Sequence, residues 1–301
     1  MTTLVVMKTW FITGASAGIG FEVARQLLGE GHRVAATARA GGGKWEVLRK
    51  DHGDRLWTAD LDVGRAGAVR DVADRAFGEL GRIDVVFSNA GFGTLGAVEE
   101  LSEEHVARQL GVNLAGPIHL VRAVVPWLRK QGGGRIIQMS SSGGSVPDPG
   151  MSVYNASKFG VEGFFEAAAI ELAAFGIEVT IVAPGGTRTG FTTNLTQADP
   201  LPVYEAGILG QVRRALNGGM DAETLRHAVA GDPVKIAREI ITSAGTVPAP
   251  RKLVFGAAAY DSIAAALRGR LGELEAQREL ALSTDADDVR AQSPMSPGPR
   301  R

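Results

Sequence analysis

The sequence predicts a single α/β domain built on a parallel β-sheet with helices on both faces. Short apolar runs, rich in β-branched residues, alternate with longer amphipathic segments. The short runs lack a strict apolar–polar alternation, which is typical of parallel strands that are buried on both faces. Glycines follow many of these runs, where a strand would turn into a helix. Together these observations predict βαβ units that wind the sheet in both directions.

Seven of the apolar runs are predicted to be strands, which gives a Rossmann-like, doubly wound, mostly parallel sheet. They span 9–13, 33–37, 55–59, 83–88, 135–140, 177–184 and 252–256. Helical periodicity predicts helices at about 19–29, 44–50, 66–80 and 102–130, and another that contains residues 154–158. Pro117 and Pro126 are expected to bound or kink the long tract, because proline removes a backbone donor.

One domain is expected to cover residues 8–284, since neither an internal repeat nor a linker interrupts the pattern. Residues 1–7 are predicted to be an N-terminal extension. The segment at about 190–230 breaks the strand–helix rhythm and is predicted to be an inserted lid. From 285 to 301 the chain is polar and proline-rich, which predicts a disordered tail.

The composition disfavours several classes of protein. The formal net charge is −1 and no basic block stands out before the terminal PRR, so nucleic-acid binding is not expected. The chain has no cysteine, which excludes disulfides and zinc–thiolate sites, and its five histidines show no ligand spacing, so no metal is expected. Without a secretory signal or a membrane-length apolar run, a cytoplasmic protein that does not enter a membrane is expected.

A glycine-rich loop, TGASAGIG at 13–20, lies between the first predicted strand and its helix. Small residues let a ligand approach the backbone closely, and a helix N-terminus presents free N–H groups to an anion. A pyrophosphate is the natural ligand of such a loop. The spacing of Gly14, Gly18 and Gly20 differs from the G-x-G-x-x-G fingerprint.

The same letters allow a second interpretation. GASAG at 14–18 satisfies G-x-S-x-G, the nucleophile elbow of α/β-hydrolases, with Ser16 as the nucleophile. That elbow follows several strands, whereas only 13 residues precede this one. No aspartate–histidine arrangement stands out later in the chain. A serine hydrolase therefore stays an alternative that the position of the motif disfavours.

A tyrosine and a lysine lie four residues apart in VYNASKFG at 153–160, on one face of a predicted helix. A free phenol has a pKa of about 10 and is a poor base at neutral pH, but a nearby positive charge lowers that pKa. Tyr154 and Lys158 could thus form a general acid/base pair. By itself the pair favours a surface helix that carries an aromatic residue, because isolated Tyr-xxx-Lys pairs are common.

The order and spacing of the motifs from about 8 to 260 resemble the short-chain dehydrogenase/reductase family. The matching segments are TGASAGIG (family form TGxxxGxG), Asp62–Val63, SNAG at 88–91, Asn113 in GVNLAGP, Ser141 thirteen residues before Tyr154, YNASK (form Y-x-A-S-K) and PGGTRT at 184–189. Ser88 departs from the family's first asparagine in N-N-A-G. Each segment alone is weak, but seven in this order are specific.

The resemblance implies hydride transfer between a nicotinamide cofactor and a carbonyl or alcohol. Tyr154 would be the general acid/base, Lys158 would lower its pKa and bind the nicotinamide ribose, and Ser141 would orient the substrate oxygen. Asn113 would hold a water that links Lys158 to solvent. The implied cofactor-binding residues are Gly14, Ser16, Gly18, Ile19, Gly20, Arg39, Asp62, Val63, Asn89, Ala90, Gly91, Tyr154, Lys158, Pro184, Gly185 and Thr189.

Several of these roles have structural alternatives. Ser140 or Ser142 could cap the loop beside Ser141, and Asn113 could tie down the helix near Pro117. Thr187 competes with Thr189 for the nicotinamide carboxamide. Asp62 could cap the following helix, with Asp60 making the adenine contact instead.

The end of the second strand bears on the choice of dinucleotide. It reads AATARA, in which Ala38 takes the place of the family's NAD-selecting acid and Arg39 that of an NADP-selecting base. A guanidinium binds a 2′-phosphate with charge-assisted hydrogen bonds. NADP(H) is therefore predicted over NAD(H), the alternative being an arginine that is merely solvated.

Apolar residues of the lid indicate the substrate. The lid contains Phe191, Leu195, Leu201, Val203, Tyr204, Ile208 and Leu209, and other loops contribute Phe92, Leu95 and Met151. They favour a hydrophobic carbonyl or secondary alcohol, unless they only pack the lid onto the domain. The resemblance also implies a dimer or tetramer. A non-catalytic NADP-binding sensor or scaffold stays as an alternative, although it would have no need of an activated phenol.

Overall fold

The computed structural model describes residues 7–39, 45–219 and 221–286. The predictions for residues 1–6 and 287–301 lie outside the described residues. The strands are β1 Thr9–Thr13, β2 Arg33–Ala38, β3 Leu56–Asp60, β4 Val85–Ser88, β5 Thr94–Leu95, β6 Gly134–Met139, β7 Ile177–Pro184, β8 Thr196–Gln197 and β9 Lys252–Phe255. The helices are α1 Gly18–Gly29, α2 Trp45–His52, α3 Ala66–Leu80, α4 Glu103–Leu110, α5 Gly116–Lys130, α6 Ser152–Leu172, α7 Ile208–Arg214, α8 Ala222–Ala228, α9 Pro233–Ser243, α10 Ala257–Ala276 and α11 Arg278–Ser283.

Seven of these strands form one sheet in the order β3-β2-β1-β4-β6-β7-β9, and all neighbouring pairs are parallel. The predicted Rossmann-like sheet is confirmed. The chain leaves β1 toward β2 and later returns to β4 on the other side of β1. Ligands of doubly wound folds bind at such a reversal, beyond the carboxyl ends of the strands. The glycine loop follows β1 and the SNAG segment completes β4, so both lie at this point.

Each face of the sheet is covered by its own layer of helices, because successive side chains of a strand point to opposite faces. Phe11 of β1 packs into a core that includes residues of α3, α5 and α6. Trp10 and Ile12, on the opposite face of β1, pack with residues of α1 and α9. All three side chains are at most 1% exposed. Burial on both faces explains why the strand sequences do not alternate.

The long helical tract predicted for 102–130 is divided in the structure. A π-helical turn, Gly111–Ala115, separates α4 from α5. Pro117 lies at the start of α5, as its expected boundary role requires. Pro126 lies inside α5 and does not end it. Pro126 and Arg122 are both exposed, so water can reach the Arg122 carbonyl that lacks a backbone donor.

The segment predicted as a lid is fastened to the loop that follows β4. The strand β8 pairs in parallel with β5 through Thr94–Thr196 and Leu95–Gln197. Arg213 of α7 forms ion pairs with Glu100 and Glu205, the second with an N–O distance of 2.7 Å. The segment is therefore joined to the loop after β4 by backbone pairing and by ion pairs.

The described residues contain neither a membrane-spanning helix nor a cluster of metal ligands. None of the helices within 7–39, 45–219 and 221–286 has both the length and the apolar character needed to cross a bilayer. Over the same residues, no group of three or more His, Cys, Asp or Glu side chains could hold a metal ion.

Candidate active site

The glycine loop forms a tight cradle after β1. Gly14 and Gly18 have φ values of +66° and +57°, in the left-handed region that favours glycine. A Cβ at Gly14 would lie 2.7 Å from the Ala90 Cα atom, and one at Gly20 would lie 2.7 Å from the Gly14 carbonyl oxygen. Ala17, which has no side-chain acceptor, is the N-cap of α1. The N–H groups and the positive end of α1 are thus available to an anion, and the loop fits a dinucleotide pyrophosphate.

Asn89 braces this cradle with its side chain. Its Nδ2 donates to the carbonyl oxygens of Thr13 and Gly14, each at 3.0 Å. The Thr13 hydroxyl accepts from the backbone N–H groups of Asn89 and Ala90, at 3.0 and 3.1 Å. The amide of Asn89 therefore holds the loop in place, while Gly91, which follows it, is exposed.

Arg39 is exposed directly after β2. Ala38 pairs in register with Asp60 at the end of β3. Asp62 accepts a hydrogen bond from the Gly64 N–H at 3.0 Å, and the N-cap of α3 is Arg65, so Asp62 closes a turn and does not cap the helix. Val63 is buried and packs against Gly116. A Cβ at Gly116 would lie 2.9 Å from the Val63 Cγ2 atom.

The structure brings Tyr154, Lys158 and Ser141 together. Tyr154 and Lys158 lie one turn apart on α6 and are 6% and 4% exposed. The Lys158 Nζ atom is 5.7 Å from the Tyr154 ring centroid and donates to the Met139 carbonyl oxygen at 3.0 Å. Ser141 follows β6 and accepts from the Gly143 N–H at 3.1 Å. It is also close enough to Tyr154 to act against the rise in the pKa of the phenol.

The rival serine Ser140 points elsewhere, because its hydroxyl donates to Glu162 at 2.7 Å. Ser141 is therefore the serine whose hydroxyl meets the phenol, as its spacing from Tyr154 predicts. The residue that caps the loop is Ser141 itself, and not Ser140 or Ser142. Ser141 is the N-cap of the turn at Ser142–Gly144.

Burial dominates the protonation of the pair. The pKa of Tyr154 is raised to about 12. Burial is the largest cause, the Asp148 carboxylate acts in the same direction, and hydrogen bonding by Ser141 acts against them. The net lowering expected from Lys158 is therefore wrong for this structure. Burial also lowers the pKa of Lys158 to about 8, while the Glu162 carboxylate opposes this shift. At neutral pH the phenol is protonated and the ammonium is mostly charged, which suits a proton donor.

Asn113 lies in the π-helical turn and is 1% exposed. Its Oδ1 accepts from the Phe92 N–H at 3.1 Å and its Nδ2 donates to the Phe92 carbonyl at 2.8 Å. The side chain thus ties the turn to the loop after β4, which favours the anchoring alternative. A proton relay through Asn113 stays a prediction.

The segment after β7 lies over the glycine loop. The Thr187 hydroxyl donates back to the Gly185 carbonyl at 2.9 Å. Thr189 faces the cradle instead, since a Cβ at Gly18 would lie 3.6 Å from the Thr189 Cβ and Cγ2 atoms. This arrangement favours Thr189 over Thr187 as a cofactor contact.

Apolar side chains lie beside Tyr154 and around Gly93, and one of them, Phe191, is partly exposed. The rings of Tyr154 and Phe191 are 5.8 Å apart. A Cβ at Gly93 would lie 2.5 Å from Leu195, 3.1 Å from Phe191 and 3.3 Å from Met151. Of the lid residues named from the sequence, Leu209 is buried with Leu95, whereas Leu201, Val203 and Ile208 are exposed. The apolar character thus divides between the pocket and the outer surface of the lid.

Sequence reasoning missed two charged residues behind the pair. Glu162 follows Lys158 by one helical turn and forms an ion pair with Lys252 of β9, with an N–O distance of 2.6 Å. The spacing of Tyr154, Lys158 and Glu162 places all three on one helix face and was a usable signal. Nothing near Lys252 in the sequence points to the site, because β9 joins it only through the sheet.

The geometry does not favour the hydrolase. Ser16 lies in the loop at the carboxyl end of β1, whereas His32 precedes β2 at the opposite edge and accepts from the Lys8 N–H at 3.0 Å. His105 is bound into the N-terminal cap of α4 by the Ser102 N–H. Neither histidine is placed to activate Ser16.

A phenol that can exchange a proton lies beside a crevice that fits a dinucleotide, and this combination is typical of nicotinamide-dependent oxidoreductases. The sequence pattern of the short chain dehydrogenases matches residues 8–200. The chain belongs to the short-chain dehydrogenase/reductase family and is an oxidoreductase of that family.

Solved structures agree with this assignment. A short-chain dehydrogenase from Streptomyces avermitilis is 32% identical, with a TM-score of 0.82 over 92% of this chain and 100% of its own. An alcohol dehydrogenase from Thermococcus sibiricus, complexed with 5-hydroxy-NADP, is 25% identical, with a TM-score of 0.66 over 83% and 96%. A family member from Burkholderia phymatum, in complex with NAD, is 25% identical, with a TM-score of 0.72 over 90% and 95%.

Proposed function

We propose that the protein is an NADP(H)-dependent oxidoreductase that interconverts a carbonyl and a secondary alcohol. The arrangement that carries this proposal is a buried Tyr154 phenol with the Lys158 ammonium one turn away and Ser141 close enough to act on the pKa of the phenol. All three residues follow β6, two strands from β1 and its glycine loop in the sheet.

The dinucleotide, when bound, would donate a hydride to the substrate carbon in reduction and accept one from it in oxidation. The protein supplies the proton and the geometry. In reduction, the Ser141 hydroxyl holds the substrate oxygen and Tyr154 donates its proton to it. In oxidation, Tyr154 takes the proton of the alcohol, and the positive charge of Lys158 favours the phenolate. The glycine loop and the N-terminus of α1 bind the pyrophosphate.

A substrate panel tests the proposal. Apolar ketones and aldehydes are expected to be reduced only when NADPH is present, with one alcohol formed per NADPH consumed. NADPH binding without turnover of any carbonyl or alcohol would favour the sensor or scaffold instead. Ester cleavage that needs no cofactor and is lost in Ser16→Ala would favour the hydrolase.

The pocket around Tyr154 supports a hydrophobic substrate. The Phe191 ring lies 5.8 Å from that of Tyr154, and Leu195 and Met151 lie with Phe191 around Gly93. Apolar ketones are therefore expected to have higher kcat/KM values than sugars or acids. The dimer or tetramer implied by the family stays a prediction that light scattering would check.

Arg39→Ala is expected to weaken NADPH binding while leaving NADH binding nearly unchanged. An exposed guanidinium directly after β2 supports a contact with the 2′-phosphate, which NADH lacks. Loss of hydrogen bonds to a charged group costs about 1.5–3 kcal/mol, so the Kd for NADPH should rise about 10- to 150-fold. Titration calorimetry measures both affinities.

Arg129→Ala is a matched control, because Arg129 is an exposed arginine at the end of α5, near the amino end of β6. It should change neither affinity. If wild type bound NADH as tightly as NADPH, or if Arg39→Ala weakened both equally, the assignment of Arg39 would be wrong.

The pH dependence of kcat/KM for NADPH is expected to follow Lys158. This parameter reports the groups of the free enzyme. The pKa of Lys158 is lowered by burial to about 8, so the protonated ammonium is present below that pH and is lost above it. The value of kcat/KM should be flat near neutral pH and fall as the pH rises above about 8.

Lys158→Arg provides the control, because a guanidinium keeps its charge over this range. Whatever its absolute activity, the kcat/KM of this variant for NADPH should no longer fall as the pH rises above about 8. A fall in the variant at the same pH as in wild type would assign the titration to another group.

A further inference from the structure

An ion pair with one buried partner, Glu162, lies one helical turn beyond Lys158. Glu162 is 6% exposed, and its Oε2 atom is 2.6 Å from the Lys252 Nζ atom. Burial of two charges is costly unless their other polar positions are also satisfied. Here each partner has a second hydrogen bond, and both of these bonds go to the same loop.

That loop comprises residues 140–145 and contains Ser141. At its beginning, the Ser140 hydroxyl donates to Glu162 Oε1 at 2.7 Å. At its end, Lys252 Nζ donates to the Ser145 hydroxyl at 2.9 Å. Arg270 of α10 donates to the Ser145 carbonyl oxygen at 2.6 Å. The ion pair therefore holds both ends of the loop.

Gly144 shows how closely the loop follows the carboxylate. A Cβ there would lie 2.5 Å from Glu162 Oε1 and 2.7 Å from the Ser140 hydroxyl. Only glycine leaves room for this approach. The inner side of the loop is thus shaped around Glu162, while Ser141 turns outward to the Tyr154 phenol.

We propose that Glu162 and Lys252 are positioning residues, whose ion pair holds the 140–145 loop so that the Ser141 hydroxyl meets the Tyr154 phenol. The proposal rests on the oxidoreductase function proposed above. Neither residue contacts the phenol. They hold the loop at Ser140 and Ser145, on either side of Ser141, and Lys252 does so from a strand more than a hundred residues after Ser141 in the sequence.

Lys252→Met removes the ammonium and keeps most of the stem. Misplacement of a catalytic group by about 1 Å can cost about 100-fold, so kcat is expected to fall about 10- to 100-fold. The KM for NADPH should change little, because the glycine loop is untouched. Lys252→Arg should recover much of the loss, and Lys235→Met, at an exposed lysine of α9, should have no effect.

The variant leaves Glu162 buried without its partner, so folding is checked by thermal unfolding. The double variant Glu162→Gln/Lys252→Met removes both charges and keeps an acceptor for Ser140. It is expected to fold and still to show the reduced kcat, because Ser145 loses its ammonium donor. A double variant with wild-type kcat would overturn the proposal.

A double-mutant cycle with Ser141→Ala separates positioning from a general structural effect. If Lys252 acts through Ser141, Lys252→Met should cost much less in the Ser141→Ala background than in wild type. Equal losses in both backgrounds would contradict the proposal.

Hydrogen exchange gives a readout that does not depend on turnover. Amides of residues 140–146 should exchange faster in Lys252→Met than in wild type. Unchanged exchange would contradict the proposal that the Glu162–Lys252 ion pair holds this loop. If wild type reduced no carbonyl at all, the proposed function would fail. Hydrogen exchange would still test whether the Glu162–Lys252 ion pair holds the loop.

Discussion

Tyr154→Phe is expected to abolish carbonyl reduction while NADPH still binds. The variant removes one oxygen from a side chain that is 6% exposed, so the packing of α6 is retained. With the pKa of Tyr154 raised by burial to about 12, the phenol carries its proton throughout the neutral range. Loss of a general acid lowers kcat by about 10²–10⁴-fold. Steady-state kinetics and calorimetry with NADPH measure the two effects.

Tyr260→Phe is the matched control, because Tyr260 lies on α10 and is 63% exposed. It should have wild-type kinetics. A Tyr154→Phe variant with unchanged kcat would show that the proton comes from another group. Lost NADPH binding would instead mean that the phenol is needed to bind the cofactor, and the variant would then no longer isolate proton transfer.

Much of the fold is predictable because the sheet is buried on both faces. The strand at Ile177–Pro184 has the bounds predicted for it, and the helix Ala66–Leu80 does too. Continuous apolar runs of strand length mark such strands in the sequence. Prolines are less informative. Pro117 begins a helix, but Pro126 is accommodated on the exposed face of one, and only the tertiary structure shows which face that is.

The candidate site is predictable where one element carries it. Tyr154 and Lys158 share a helix, and the fixed distance to Ser141 spans a single loop. Asn89 and Asn113 are different, because each amide is paired with backbone from another segment. Their residue types suggest a ligand or water, and only the structure shows that they hold the two loops that flank the crevice.

The protonation of the pair also required the structure. The sequence places a cation beside a phenol and so predicts a lowered pKa, but it does not show how completely both groups are buried. Burial penalises phenolate and ammonium alike, and here it outweighs the effect of Ser141 on the pKa of Tyr154 and that of Glu162 on the pKa of Lys158. The pair is therefore set to donate a proton, and the reverse reaction needs additional positive charge near the phenol.

Gly20→Ala is expected to impair the cofactor cradle with little effect on the rest of the fold. A Cβ at this position would lie 2.4 Å from Asn89 Nδ2 and 2.7 Å from the Gly14 carbonyl oxygen. Asn89 would have to move, and its hydrogen bonds to Thr13 and Gly14 would break. Overpacking of this kind costs about 1–3 kcal/mol, which corresponds to a Kd for NADPH about 5- to 150-fold higher if the bound loop bears the strain.

Gly29→Ala on the same helix separates this steric effect from helix propensity. Gly29 is the last residue of α1, and a Cβ there would have no neighbour within 4 Å among the described residues. Alanine favours a helix over glycine at both positions, so the two variants differ in the contact with Asn89. Gly29→Ala should bind NADPH like wild type and unfold at the same or a higher temperature. If Gly20→Ala also bound NADPH normally, the close approach of α1 to Asn89 would not be needed to form the cofactor site.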